Sequence, residues 1–160
     1  QIGVRNPQGM SLDPLSQKVF ISNHGPKGGD FIGPVIAGSN YGWKQIAWGG
    51  TNYSGSKVGD GNAWEPGFLK PDFIWVPSIG VGGIKFYKGD AFPDWQGSLL
   101  VGSLKFQYLS VLHRDDQKFI SEEIIFKDEI GRVRDIEINK KGEIILIADE
   151  LDSHLYILKP

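Results

Sequence analysis

Ile136-Glu137-Ile138, then Asn139-Lys140-Lys141-Gly142, then Glu143-Ile144-Ile145-Leu146-Ile147-Ala148 is the stretch that decides the fold. Its first part alternates apolar and polar, its second is a turn cluster, and its third is a short apolar run rich in β-branched residues. That pattern reads as a half-buried strand, a tight turn and a buried strand. A third strand candidate, Leu155 to Leu158, follows. Working outward, the unit recurs as Met10-Ser11-Leu12, the turn Asp13-Pro14-Leu15-Ser16, Lys18-Val19-Phe20-Ile21-Ser22 and a candidate from Phe31 to Ile36. It recurs again as Ile84-Lys85-Phe86, Ser98-Leu99-Leu100-Val101-Gly102 and Tyr108 to Leu112, here with a clear fourth member from Glu122 to Phe126. The units start near residues 9, 83 and 135, too unevenly for a simple solenoid. Blades of a β-propeller, about 40–50 residues and four strands each, fit this rhythm best. A β-sandwich of three hairpins is the other arrangement such a pattern allows.

Composition agrees with an all-β domain. The 160 residues include 22 Gly and 9 Pro, too many for a helical bundle. With 17 Lys and Arg against 19 Asp and Glu, the formal net charge is -2, which argues against a duplex nucleic-acid binder. There is no Cys, so disulfides, zinc-thiolate sites and cysteine nucleophiles are excluded. No apolar run approaches the roughly 18 residues of a membrane-spanning helix. The chain opens at Gln1 with no initiator Met, from which a fragment of a longer protein is expected. A Gly- and Trp-rich excursion at about 39–75 interrupts the strand rhythm and carries Trp43, Trp48, Trp64 and Trp75. Its indoles predict an ordered loop laid over a surface or an inter-blade groove.

Arg132-Val133-Arg134-Asp135 places two guanidinium groups on one face of a strand. The pair is either a solvated edge with Asp135 as local partner or a clamp for a carboxylate or phosphate. Arg5-Asn6 holds the corresponding place before the first unit, and equivalent positions of propeller blades converge on one axis. Lys105 ends the buried strand of the middle unit, where it is either a surface lysine or a donor to a ligand oxygen. Asn23-His24-Gly25-Pro26-Lys27-Gly28-Gly29-Asp30 is a flexible loop able to present backbone carbonyls, hard oxygen ligands suited to Ca²⁺. His113 and His154 read as structural or surface residues, and His24 as a packing residue or a base. No Ser-His-Asp set and no HExxH motif is present.

Taken in order, Arg5-Asn6-Pro7-Gln8-Gly9-Met10, His24-Gly25-Pro26-Lys27-Gly28-Gly29-Asp30, Asn40-Tyr41-Gly42-Trp43, Pro77-Ser78-Ile79, Val101-Gly102-Ser103-Leu104-Lys105 and Arg132-Val133-Arg134-Asp135 resemble the C-terminal half of the soluble, pyrroloquinoline quinone (PQQ)-dependent aldose and glucose dehydrogenases. The resemblance covers essentially the whole chain and implies about three blades of a six-bladed β-propeller. It implies that Arg5, Asn6, Gln8, Lys105, Arg132 and Arg134 line the cofactor site, with Trp75 near the pocket. It also implies that the carbonyls of Gly25 and Pro26 ligate a catalytic Ca²⁺, and that the parent protein oxidises the C1 hydroxyl of aldoses in the periplasm or outside the cell.

In the family the general base is a histidine of the N-terminal half, so this chain alone is expected to be inactive. Its open blade edges are expected to pack on that half or on another copy of itself. Two places depart from the family pattern: Phe31 stands where an acid is common, and Gly80-Val81-Gly82-Gly83 replaces a Pro-containing turn. These departures motivate a second reading, a non-catalytic propeller that binds carbohydrate or a protein. An unrelated all-β module would scatter Arg5, Lys105 and Arg132 over different faces.

Overall fold

A computed structural model describes residues 1–160. Eleven strands form three antiparallel sheets. The first contains β1 (Pro7–Leu12), β2 (Val19–Asn23), β3 (Asp30–Pro34) and β4 (Phe73–Trp75) in that order. The second contains β5 (Val81–Phe86), β6 (Leu99–Ser103), β7 (Tyr108–Asp115) and β8 (Lys118–Ile125). The third contains β9 (Val133–Ile138), β10 (Ile144–Ala148) and β11 (Leu155–Leu158). One turn of 3₁₀ helix, Pro93–Trp95, joins β5 to β6. The expected strands are all present, with ends that shift by a few residues. The structure adds β4, which lies inside the expected excursion. Only three residues long and flanked by Pro71 and Pro77, it gives no readable period in the sequence.

The sheets stack face to face as successive blades. The side chains of Phe20, Ile32 and Trp75 meet Ile84, Phe86, Leu99 and Val101 between the first two. Leu100, Leu109 and Val111 meet Val133, Ile136, Ile144 and Leu146 between the second and third. The innermost strands β1, β5 and β9 run side by side, and their approach is close enough to exclude side chains. A Cβ on Gly82 would lie 2.6 Å from the Val133 carbonyl oxygen, one on Gly102 2.5 Å from the same atom, and one on Gly9 2.7 Å from the Ile84 nitrogen. Packing explains Gly82 and Gly83 within the Gly80–Gly83 departure, because β9 occupies the space their side chains would fill, while Gly80 has a positive φ beside Lys105.

Polar bolts cross the same interfaces. Ser22 Oγ donates to the Gly82 carbonyl at 2.8 Å, and Trp75 Nε1 donates to Glu122 at 2.9 Å. Arg114 of β7 reaches Asp13 in the β1–β2 turn at 2.8 Å, with both side chains almost completely buried.

Residues 35–72, between β3 and β4, carry no strand. They fold back over the face of the first sheet that points away from the second. Tyr41 packs with Ile21 and Phe31 there, bordered by Val4, Trp48, Leu69 and Ile74. Phe31 is 2% exposed and lies 4.6 Å, ring to ring, from Tyr41, so it serves this core. On the far side of the third sheet Ile147, Leu155 and Ile157 remain exposed, as do Met10 and Leu12 of β1. No helix is long and apolar enough to cross a membrane.

Candidate cofactor site

One hydrogen bond repeats in all three sheets and defines the end that carries the candidate residues. The residue after the second strand donates its N–H to the residue before the innermost strand: His24 to Asn6 at 2.9 Å, Leu104 to Gly80 at 2.8 Å, and Asp149 to Arg132 at 2.8 Å. Asn6, Gly80 and Arg132 are thus equivalent, and so are Gln8, Gly82 and Arg134 two residues on. This end gathers Arg5, Asn6 and Gln8 from the first blade, Lys105 from the second, and Arg132 and Arg134 from the third.

Side-chain contacts join Asn6, Gln8, Arg134 and Arg132 into a chain. Gln8 Nε2 donates to Asn6 Oδ1 at 2.9 Å, and Gln8 Oε1 accepts from Arg134 Nη1 at 3.0 Å. Arg134 Nη2 and Arg132 Nη2 both reach Asp149 Oδ2, at 2.6 and 3.2 Å, and Arg132 Nη1 donates to the Leu104 carbonyl at 3.3 Å. Next in sequence, Lys105 donates from Nζ to the Ser78 carbonyl at 3.3 Å and lies over Phe106. Arg5 Nη1 reaches the His24 carbonyl at 3.5 Å, and its guanidinium lies 5.5 Å from the Trp43 ring centre.

The anion between the two arginines is Asp149, not Asp135. Successive residues of a strand point to opposite faces, so Asp135 turns away from Arg134, accepts from the N–H of Ile136 and lies against Gly83. The two guanidinium groups hold the Asp149 carboxyl below its ordinary pKa, chiefly through the Arg134 hydrogen bond and then the Arg132 one. Each arginine spends two of its five N–H donors in these contacts and keeps three for a ligand.

Residues 24–30 form a tight loop beside this cluster. Asp30 is 1% exposed, and its carboxylate accepts from the backbone N–H groups of Gly25, Gly80 and Val81 at 2.8, 2.7 and 3.0 Å. A Cβ on Gly25 would lie 2.5 Å from Gly29 backbone, and one on Gly49 would lie 2.2 Å from Gly28. The loop is thus closed on itself and clamped by residues 48–51 of the excursion. His24 is held across the blade boundary by a short hydrogen bond between Nε2 and the Val81 carbonyl. The carbonyls of Gly25 and Pro26 accept no backbone hydrogen bond, which leaves two hard oxygen donors free. No group of three or more His, Cys, Asp or Glu side chains gathers anywhere in the chain.

A cleft of about 450 Å³ opens between this loop and the Lys105 strand end. Buried Asp30 and Ser78 form its floor with Gly80, and His24, Lys27, Tyr53 and Lys105 rise around it. Trp75 stands apart from the expected cluster. It is 6% exposed, packs with Phe73 at 4.8 Å between the first two sheets, and commits its indole N–H to Glu122, so its ring serves the core. His113 pairs with Glu123 at 2.9 Å and His154 lies beside Tyr156, both remote from the cleft.

The family model for glucose/sorbosone dehydrogenase matches residues 1–157. The chain belongs to this family. It is 36% identical over 159 residues to the aldose sugar dehydrogenase YliI of Escherichia coli K12, covering 99% of this chain and 43% of the relative. A crystal structure of a glucose dehydrogenase superposes with a TM-score of 0.94 at 35% identity, over 99% of this chain and 46% of that one. The PQQ-bound form of an aldose sugar dehydrogenase from Streptomyces coelicolor superposes at a TM-score of 0.71 with 21% identity, a likeness of fold. The chain thus spans under half the length of these relatives. As a glucose/sorbosone dehydrogenase family member it comprises about three blades of a six-bladed ring.

Proposed function

We propose that the parent protein is a PQQ- and Ca²⁺-dependent dehydrogenase that oxidises the C1 hydroxyl of aldoses. One observation carries this reading: Arg5, Lys105, Arg132 and Arg134 come from three blades yet share one end. There Arg132 and Arg134 are joined through Asp149 and Arg134 continues through Gln8 to Asn6, while Arg5 and Lys105 are held by the His24 and Ser78 carbonyls. PQQ is a planar tricarboxylate, and forked guanidinium donors suit carboxylates and adjacent quinone oxygens. Four cations against Asp149 leave a net positive field for such a ligand. Gly80 and Gly82, at the positions of Arg132 and Arg134, leave the middle blade flat.

The free carbonyls of Gly25 and Pro26 would hold Ca²⁺, a cation that takes six to eight oxygen ligands. Two neutral carbonyls with no gathered carboxylates make a weak site alone. The ion would therefore need further oxygen ligands beyond this loop, from the cofactor or the rest of the parent. When bound, PQQ accepts hydride from the sugar, and Ca²⁺ assists as a Lewis acid. Within this chain Arg132 and Arg134 orient carboxylates, Lys105 donates to an oxygen near the reacting end, and the Asp30 carboxylate fixes the calcium loop to the second blade. As the family resemblance implies, the general base belongs to the remainder of the parent; His24, bonded through Nε2 to the Val81 carbonyl, ties the loop to the second blade. That remainder also covers the exposed apolar faces of β1 and of the third sheet. Periplasmic or extracellular location follows from the family reading.

Both departures that motivate the binding-only reading have a packing role: Phe31 fills the core over Tyr41, and Gly82 and Gly83 admit β9. The test is reconstitution of the full-length protein with PQQ and Ca²⁺, followed by aldose-dependent dye reduction over a broad sugar panel. Turnover with at least one aldose is expected. Absence of turnover with every aldose, in protein shown by calorimetry to bind no PQQ, refutes the reading.

A further inference from the structure

Tyr53 carries the one benzenoid ring in a cleft otherwise lined by charged, polar and glycine residues. It is 71% exposed, and its hydroxyl is engaged by no other residue of the chain. It is nonetheless held in place. Thr51 and Lys57 form an antiparallel bridge, Asn52 donates from its backbone N–H to the Ser56 carbonyl at 2.7 Å, and the Asn52 amide spans to the Lys57 carbonyl at 3.1 Å. Tyr53 sits at the tip of this small hairpin. Its base is tied to the calcium loop, where Lys27 N–H donates to the Thr51 carbonyl and Gly49 abuts Gly28. Val58, at the foot of the hairpin, is 1% exposed, so the tip rests on a packed base.

A pyranose has an apolar C–H face and a rim of hydroxyls. The cleft offers the matching pair: one ring face for the former, and Lys27, His24 and Lys105 for the latter. We infer that Tyr53 is a substrate-positioning residue that stacks on the pyranose ring and sets sugar affinity. The inference rests on the aldose dehydrogenase reading and adds a residue that the cofactor cluster does not include.

The experiment uses the full-length parent loaded with PQQ and Ca²⁺, as wild type, Tyr53→Ala and Tyr53→Phe. Two readouts are taken: steady-state kinetics with D-glucose, and calorimetric binding of 1,5-anhydro-D-glucitol, which lacks the oxidisable C1 hydroxyl. Tyr53→Ala is expected to raise KM and the analogue Kd roughly tenfold, the order of one aromatic contact, with kcat within about twofold. Tyr53→Phe is expected to stay within about twofold of wild type in both, and PQQ affinity to be equal in all three. Unchanged analogue affinity in Tyr53→Ala overturns the stacking role, as does an equal loss in Tyr53→Phe. If the loaded parent oxidises no aldose, the dehydrogenase reading falls, and the analogue titration still decides Tyr53. A wild type that oxidises glucose but binds no analogue, with KM unchanged in Tyr53→Ala, overturns the stacking role alone.

Discussion

Replacing Asp13 by Ala removes the carboxylate that neutralises Arg114 inside the boundary between the first two blades. Asp13 accepts from Arg114 Nη2 at 2.8 Å, from Leu15 N–H at 3.0 Å, and from Ser16 through both its N–H and its hydroxyl. The side chains are 1% and 5% exposed, Arg114 lies 4.8 Å from the Phe86 ring centre, and its Nε already lacks a partner. The variant therefore strands a buried guanidinium with no counter-charge. Breaking a buried pair in this way costs about 3–5 kcal/mol, a fall in Tm of about 5 °C for a protein roughly twice the length of this chain. Differential scanning calorimetry of the full-length protein measures it. Arg114→Met in the Asp13→Ala background removes the stranded charge and is expected to restore more than half of the loss, because an apolar pair of similar volume is often neutral. A loss under about 1 kcal/mol in Asp13→Ala, or no recovery in the double variant, refutes the claim that this ion pair bolts the blades together.

The same pair predicts a pH dependence. Burial opposes the Asp13 charge, but the hydrogen bonds from Arg114, Ser16 and Leu15 outweigh it and hold the folded pKa below the ordinary value. The stability it adds is complete above the ordinary carboxylate range and drains away as pH falls from there through the folded pKa; Asp13→Asn should flatten that acid limb in thermal melts. Gly102→Ala, which sets a Cβ 2.5 Å from the Val133 carbonyl oxygen, should destabilise the protein by about 1–3 kcal/mol in urea unfolding through steric overlap, whereas Gly55→Ala meets no neighbour and should cost about 1–2 kcal/mol through its positive φ alone. Chelation of Ca²⁺ should abolish aldose turnover while leaving circular dichroism unchanged, and re-addition should restore it; loss of folded signal on chelation would contradict a purely catalytic ion. Gly25→Ala should weaken Ca²⁺-dependent PQQ binding at least tenfold, since its Cβ meets fixed backbone of Gly28 and Gly29.

Two kinds of strand were legible: β9 buries Ile136 and exposes Glu137, an asymmetry written as period two, and β10 is an uninterrupted apolar run bounded by polar residues. The strand β4 was not legible, because three residues cannot display a period. The cationic cluster was readable from place in the repeat, since Arg5-Asn6 and Arg132 precede equivalent strands. Asp149 was missed because its partners are sixteen residues away on average in sequence but adjacent across a strand pair, β9 to β10. The available signal was its place directly after β10, matching His24 after β2. Trp75 was drawn into the expected site by resemblance alone, which carries no information on the face a strand residue presents. Tyr53 gave no sequence signal, because the hairpin that lifts it over the cleft depends on backbone contacts with residues 27–28.

Whether the Arg132–Arg134 end is a carboxylate-binding cofactor site is tested directly by calorimetric titration of PQQ into the full-length protein with Ca²⁺ present, comparing wild type with Arg132→Ala/Arg134→Ala. Loss of charge-assisted hydrogen bonds of about 1.5–3 kcal/mol at each arginine predicts affinity weakened by at least a hundredfold, with the Tm of the unloaded protein little changed. Equal PQQ affinity in the two proteins would contradict it.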